Sequence, residues 1–317
     1  MSASVETMFS VRQVPWHGLG EIIEDAPNSE KALRIAGLDW TVDRKELYLG
    51  NGVVVPNQFA NVRSSDGAVL GIVTRQYKIV QNAEAFAFTD ALIGRDVRYE
   101  TAGSLLGGRK VWMLARLPEK KIVGDEVVPY LCFTNSHDGS GSVRAMITPV
   151  RVVCNNTLNL AMKTAKRSWK ANHSSNIGNK IKEARETLEL TDIYMDELDK
   201  YADKLANITV DTDAIVKAFN AVNPIAKDAP VITKVRHSND VESLLMCNEA
   251  SDIQKFKGTA WGAANAIADF VDHRPPSRQI DKWKESRWGD IMNGSVIVDK
   301  FMIELMAQVA KAGKVTV

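Results

Sequence analysis

Between Asp138 and Glu183 the chain carries Arg144, Arg151, Lys163, Lys166, Arg167, Lys170, Lys180 and Lys182 and no carboxylate. The whole chain is nearly balanced, with 40 Lys and Arg against 39 Asp and Glu. The asymmetry is therefore local, and any polyanionic partner must be recognised through this stretch rather than through overall charge. Spaced cations mixed with Asn, Ser and Thr donors suit a phosphate backbone, where ionic attraction supplies affinity and neutral donors fix position. Arg144, Arg151, Lys163, Lys166, Arg167 and Lys170 are expected to hold phosphates. Asn155, Asn156 and Thr157 are expected to donate hydrogen bonds at a strand-to-helix junction, where free backbone N–H groups also attract anions. The competing explanation is a solvated basic face set against an acidic helix, which Glu183 to Asp203 could supply.

A second basic stretch sets Lys282, Lys284 and Arg287 among Trp283 and Trp288. Cations that track phosphates and indoles that stack bases are the ingredients of single-strand binding, and Trp169 adds another ring. Alternatively the tryptophans anchor a helix to the core beneath snorkelling lysines.

Other chemistries find weaker footing. His137 and Asp138 are adjacent in Asn135–Gly139, and neighbours in sequence rarely face one another; an Asx turn closed by glycines accounts for the same letters. Cys132, His137, Cys154 and His173 lack the paired spacing of a metal site. Cys154 beside His137 or His173 could act as a nucleophile, but a small buried thiol explains it. The glycines before Arg109 and Lys110 lack the ending of a phosphate-binding loop and precede a strand. No catalytic residue, metal or cofactor is assigned on this basis.

The surrounding scaffold is ordinary. A chain of 317 residues, 45% hydrophobic and 25% charged, has the composition of a globular protein. Three scattered cysteines do not form a disulfide framework. The N-terminus lacks the pattern of a secretory signal and no apolar run is long enough for a membrane span, so a cytoplasmic protein is expected. The first twenty residues read as a polar lead-in, and 29–37 as a short helix. Strands are expected from Trp40 to Cys154, broken by a helix over 81–92 and by turns at Gly50–Gly52 and Ser64–Gly67. Helical spacing is read over 156–170, 177–205, 212–222, 235–248, 258–271 and 296–310. The expected fold class is α+β: a curved, mainly antiparallel sheet over residues 1–155 packed with a helical region over 156–317, sharing one core.

Several strings occur in an order that resembles a known family. They are Pro15–Gly20 (PWHGLG), Tyr77–Asn82 (YKIVQN), Asn135–Gly139 (NSHDG), Thr148–Leu158 (TPVRVVCNNTL) and Thr259–Asn265 (TAWGAAN) followed by Asp272 and His273. This pattern resembles the phage/plasmid-like family, a domain of unknown function found in phages, plasmids and integrated elements; Arg167 and His173 also fit it. The Ala263–Ala264 pair departs from it and bears on helix packing. The resemblance implies a mobile-element setting among genes that act on DNA. With the basic run, it gives the expectation of a non-enzymatic protein that binds single-stranded nucleic acid, in strand annealing during recombination or replication. Annealing needs many weak contacts along a strand, so a homo-oligomeric ring or filament is expected. The alternatives are a hydrolase or nucleotide-modifying enzyme built on His137, Asp138, Cys154 or His173, and a structural or host-interaction protein.

Overall fold

The computed structural model describes residues 5–11, 20–93, 97–151, 168–174, 180, 183, 184, 186, 190–273 and 296–312. It is an α+β protein with sheets in the N-terminal half and helices in the C-terminal half. The strands are β1 (Val5–Val11), β2 (Glu21–Ile23), β3 (Val42–Tyr48), β4 (Val54–Arg63), β5 (Val69–Thr74), β6 (Tyr99–Leu105), β7 (Lys110–Arg116), β8 (Lys120–Ile122), β9 (Asp125–Ser136), β10 (Val143–Arg151) and β11 (Ser168–Ala171). The helices are α1 (Ser29–Ile35), α2 (Asn82–Ile93), α3 (Leu190–Ala206), α4 (Thr212–Val222), α5 (Val231–Asn248), α6 (Ala260–His273) and α7 (Val296–Lys311), with a 3-10 turn at Ser251–Phe256.

The larger sheet runs β11-β10-β9-β7-β6-β1-β2, with β8 paired to β9 and β11 at one edge. A second sheet runs β3-β4-β5. Strand β1 runs parallel to β2 and antiparallel to β6. The pairs β6 with β7, β7 with β9, β8 with β9, β10 with β11, and both pairs of the small sheet are antiparallel. The central strands are buried on both faces: Val111 to Ala115 of β7 are all buried, as are Leu131 to Phe133 of β9. Such strands read as continuous apolar runs rather than alternating ones.

The chain divides into two compact units. One comprises Met1–Pro118, Pro129–Ile147 and Lys166–Thr191; the other comprises Glu119–Val128, Thr148–Ala165 and Asp192–Val317. In the first, α1 and α2 pack on each other and α1 on β6. In the second, α7 packs against α4 and α6, and α6 against α5. Asp211 caps α4, its carboxylate accepting from the Ala214 N–H at 2.9 Å.

Two expectations are corrected. Residues 5–11 are not a polar lead-in: they form β1, in register with β6, with Met8, Phe9 and Val11 buried. Their polar letters are used internally, since Glu6 accepts from Arg63 at 2.9 Å. Residues 168–170 do not end a helix; they lie in strand β11.

Candidate functional site

Strand β11 and the residues after it alternate without a break. Ser168, Lys170, Asn172 and Ser174 are exposed, and Trp169, Ala171 and His173 are buried. This is the period of two that a strand with one covered face must show. The buried set fixes the strand. Trp169 is only 4% exposed and stacks on Phe88, with ring centroids 5.3 Å apart and planes 24° apart. His173 stacks on Tyr77 at 4.3 Å and 13°.

Within the strand Ser168 and Lys170 stand about 6.6 Å apart, twice the rise per strand residue, and the exposed Asn172 and Ser174 follow its end. Across the ladder, Arg144 of β10 is in register with Lys170, and both are exposed. The Arg144 Nε donates to Ser142 Oγ at 3.3 Å, a contact that leaves its charge uncompensated. Like charges directly opposite each other in an antiparallel pair are unfavourable. Among the described residues neither cation meets a carboxylate within ion-pair distance.

The basic run is not free throughout. Lys180 pairs with Glu183, and that hydrogen bond is the first cause holding the Glu183 carboxyl below its usual range. Arg151 ends β10, and its side chain is outside the described set. Asn155, Asn156, Thr157, Lys163, Lys166 and Arg167 lie outside the described residues, as do Lys182, Lys282, Trp283, Lys284, Arg287 and Trp288. Trp169 is described and does not share the face of Lys170; its ring is buried against Phe88, so no base platform is presented there. Ser168, Asn172 and Ser174 carry no charge that would single them out in the sequence. The signal that could have found them is the alternation in SWKANHS.

The residues with the richest chemistry converge elsewhere in the same unit, on segment 77–82, which leads into α2. The Tyr77 hydroxyl donates to the Ser136 carbonyl. His173 Nδ1 donates to the Lys78 carbonyl at 2.8 Å, and the Lys78 N–H donates to the His173 carbonyl. Asn135 Nδ2 donates to the Val80 carbonyl at 3.0 Å. Gln81 bonds both backbone groups of Val42, at 2.8 and 2.9 Å. Asn82 Nδ2 donates to the Leu38 carbonyl at 2.9 Å, so its Oδ1 is left to accept from His137 Nε2 at 3.0 Å.

His137 is fully buried, with Trp40 edge-on at 5.3 Å. Burial, then the neighbouring His173, lowers its pKa to about 4 against the opposing pull of Asp138. Burial also lowers His173, opposed by its bond to Lys78. Both rings are therefore neutral near pH 7, each with one nitrogen donating and the other, His137 Nδ1 and His173 Nε2, without a partner. Asp138 follows in a tight turn, its carboxylate accepting from the Ser140 N–H at 2.9 Å. Gly71 of β5 lies so close that a Cβ there would overlap the Asp138 backbone.

His137 and His173 thus brace one strap from two sides, and both are withdrawn from solvent. Cys154, the third member of the catalytic alternative, lies outside the described residues. Among those residues no group of three or more His, Cys, Asp or Glu could hold a metal ion, and no helix is long and apolar enough to cross a membrane.

A family model described as "Domain of unknown function (DUF932)" matches residues 69–289, well over half of the chain. No curated protein matches, and no solved structure does.

Proposed function

The chain belongs to the DUF932 family, described only as a domain of unknown function, and we propose that it binds single-stranded nucleic acid along β11. The observation that carries this reading is the cross-strand pair of Arg144 and Lys170, exposed and without a carboxylate partner among the described residues. Two cations held opposite each other repel in the free protein, and a polyanion laid across them removes that repulsion. Ser168 stands beside Lys170 on the same face and supplies a neutral donor. An extended nucleic-acid strand laid along β11 can bring successive phosphates to Ser168 and Lys170, with Arg144 adding a second charge at the level of Lys170.

In sequence this surface lies inside a longer cationic stretch that also holds Arg151, Lys163, Lys166 and Arg167. A phage- or plasmid-type protein that anneals strands in the cytoplasm as a homo-oligomer is the setting this reading favours. No step of bond making or breaking is assigned to it.

A competing role for Lys170 is to keep the exposed sheet edge from pairing with another chain, as edge lysines commonly do. A salt series separates the two. Affinity for a fluorescent single-stranded oligonucleotide is measured by anisotropy at each salt concentration. The log of the binding constant should fall linearly with log salt, and Lys170→Ala or Arg144→Ala should each flatten that slope by roughly 0.7 to 1. Lys170→Glu keeps the edge charged and should abolish binding while leaving the protein unaggregated. Absence of binding by the unaltered protein at low salt refutes the reading, as does an unchanged slope in both alanine variants.

A further inference from the structure

Helix α5 (Val231–Asn248) is the least covered long helix described in its unit. Its first thirteen residues include none that is buried; the first buried side chain is Leu244. The side facing its own unit carries Leu244 and Asn248, with Val241 and His237 half-buried above them. On the opposite side Ile232 is 60% exposed, Val235 52% and Met246 64%. Asn239 and Glu242 complete that face.

The spacing of Ile232, Val235, Asn239, Glu242 and Met246 is three, four, three, four: the seam of a helix that packs on another helix. A lone Asn inside such a seam is a known means of fixing register, because an amide both donates and accepts and so complements an identical amide.

We propose that this face pairs with the same helix of a second copy of the chain, antiparallel, with a two-fold axis at Asn239. Charge selects the occupant and the direction. Arg236 stands in the first half of the helix and Glu242 in the second, whereas Glu249 is already paired with Lys257 and Lys234 lines the groove beside Asn223 and His237. An antiparallel arrangement brings Arg236 of one copy against Glu242 of the other, and it also opposes the helix dipoles favourably. With the axis at Asn239, residues equally distant from it in the chain come face to face. Ile232 then meets Met246, Arg236 meets Glu242, and the two Asn239 amides meet each other. A two-fold contact of this kind is self-complementary and closes on itself.

Disulfide trapping tests the pairing, in full-length protein whose Cys132, Cys154 and Cys247 are replaced, with circular dichroism confirming the fold. Asn239→Cys, at the axis, should give covalent dimers under mild oxidation. Val231→Cys, 77% exposed, should not. Its two copies would stand roughly 24 Å apart, about sixteen residues of helical rise. A mixture of Ile232→Cys and Met246→Cys chains should cross-link as a heterodimer. Glu242→Arg should raise the dimer dissociation constant about tenfold, since symmetry breaks the pair twice, and Arg236→Glu added to it should restore association. Trapping of Val231→Cys as readily as Asn239→Cys overturns the proposal, and so does an unaltered chain that stays at monomer mass by light scattering at every concentration. Both readouts are made without nucleic acid, so their failure leaves the β11 reading standing, and the reverse holds.

Discussion

The strap at 77–82 and the exposed face of β11 put polar side chains to opposite ends. Around the strap, His137, His173, Tyr77, Asn82 and Asn135 are the residues a chemist would pick first, and they direct their hydrogen bonds at backbone carbonyls or at one another. On β11 and β10, Lys170 and Arg144 are chemically plain, yet among the described residues their charges meet no carboxylate. Residue type alone therefore does not locate function. What matters is whether a polar group is used up inside the fold. His173 joins the two regions, since the same short segment that presents Lys170 outward sends His173 inward to Tyr77.

The division between inward and outward residues is most exposed to refutation at Trp169. Removing this buried ring in Trp169→Ala should cost about 3–5 kcal/mol of stability, read as a lower urea midpoint. If Trp169 stacked bases instead, the substitution would weaken nucleic-acid binding and leave the midpoint in place.

Acid titration probes the strap. His137 has its folded pKa lowered to about 4 from 6.5, so between those values the unfolded chain binds the extra proton. Stability should be complete above pH 6.5, fall by about 3 kcal/mol as the pH drops to 4, and flatten below it as far as this group is concerned. Equilibrium unfolding at several pH values checks this, and the decline should shrink in His137→Gln. A solvent-exposed histidine that keeps its ordinary pKa would show no such link to folding.

Smaller still is Gly71→Ala, whose methyl group would press on the Asp138 backbone and cost about 1–3 kcal/mol, again read as a lower urea midpoint. At the bottom of the scale, Lys170→Ala should leave the unfolding free energy within about 0.5 kcal/mol of the parent, as substitution of an exposed surface side chain usually does. A greater loss would place Lys170 with the strap residues and dissolve the contrast.

The layering of sheets before helices is legible in the sequence because the period of the apolar residues changes along the chain. The bounds of Thr212–Val222 are legible too, since Asp211 and Asn223-Pro224 punctuate it. Strand β1 escapes such a reading because Glu6, Thr7 and Ser10 look solvated, although Glu6 is bound by Arg63, 57 residues away, and Thr7 meets Ser104. Such long-range partners leave no local mark in sequence. Strand β11 resembles the end of a helix because Ala and Lys favour helices and the strand is only four residues long. The strap is a matter of tertiary hydrogen bonds: its motif letters are visible, but nothing in them tells which will be buried. The cationic character of the middle of the chain needs only counting; the register that sets Arg144 beside Lys170 needs the fold.

The alternation in β11 also bears on how this surface can change over evolutionary time or in the laboratory. Positions 168, 170, 172 and 174 answer to whatever touches the molecule from outside, whereas 169, 171 and 173 answer to its interior. The two sets of constraints are interleaved yet separable. The outward letters can be rewritten while the tryptophan and histidine pegs keep the strand in place.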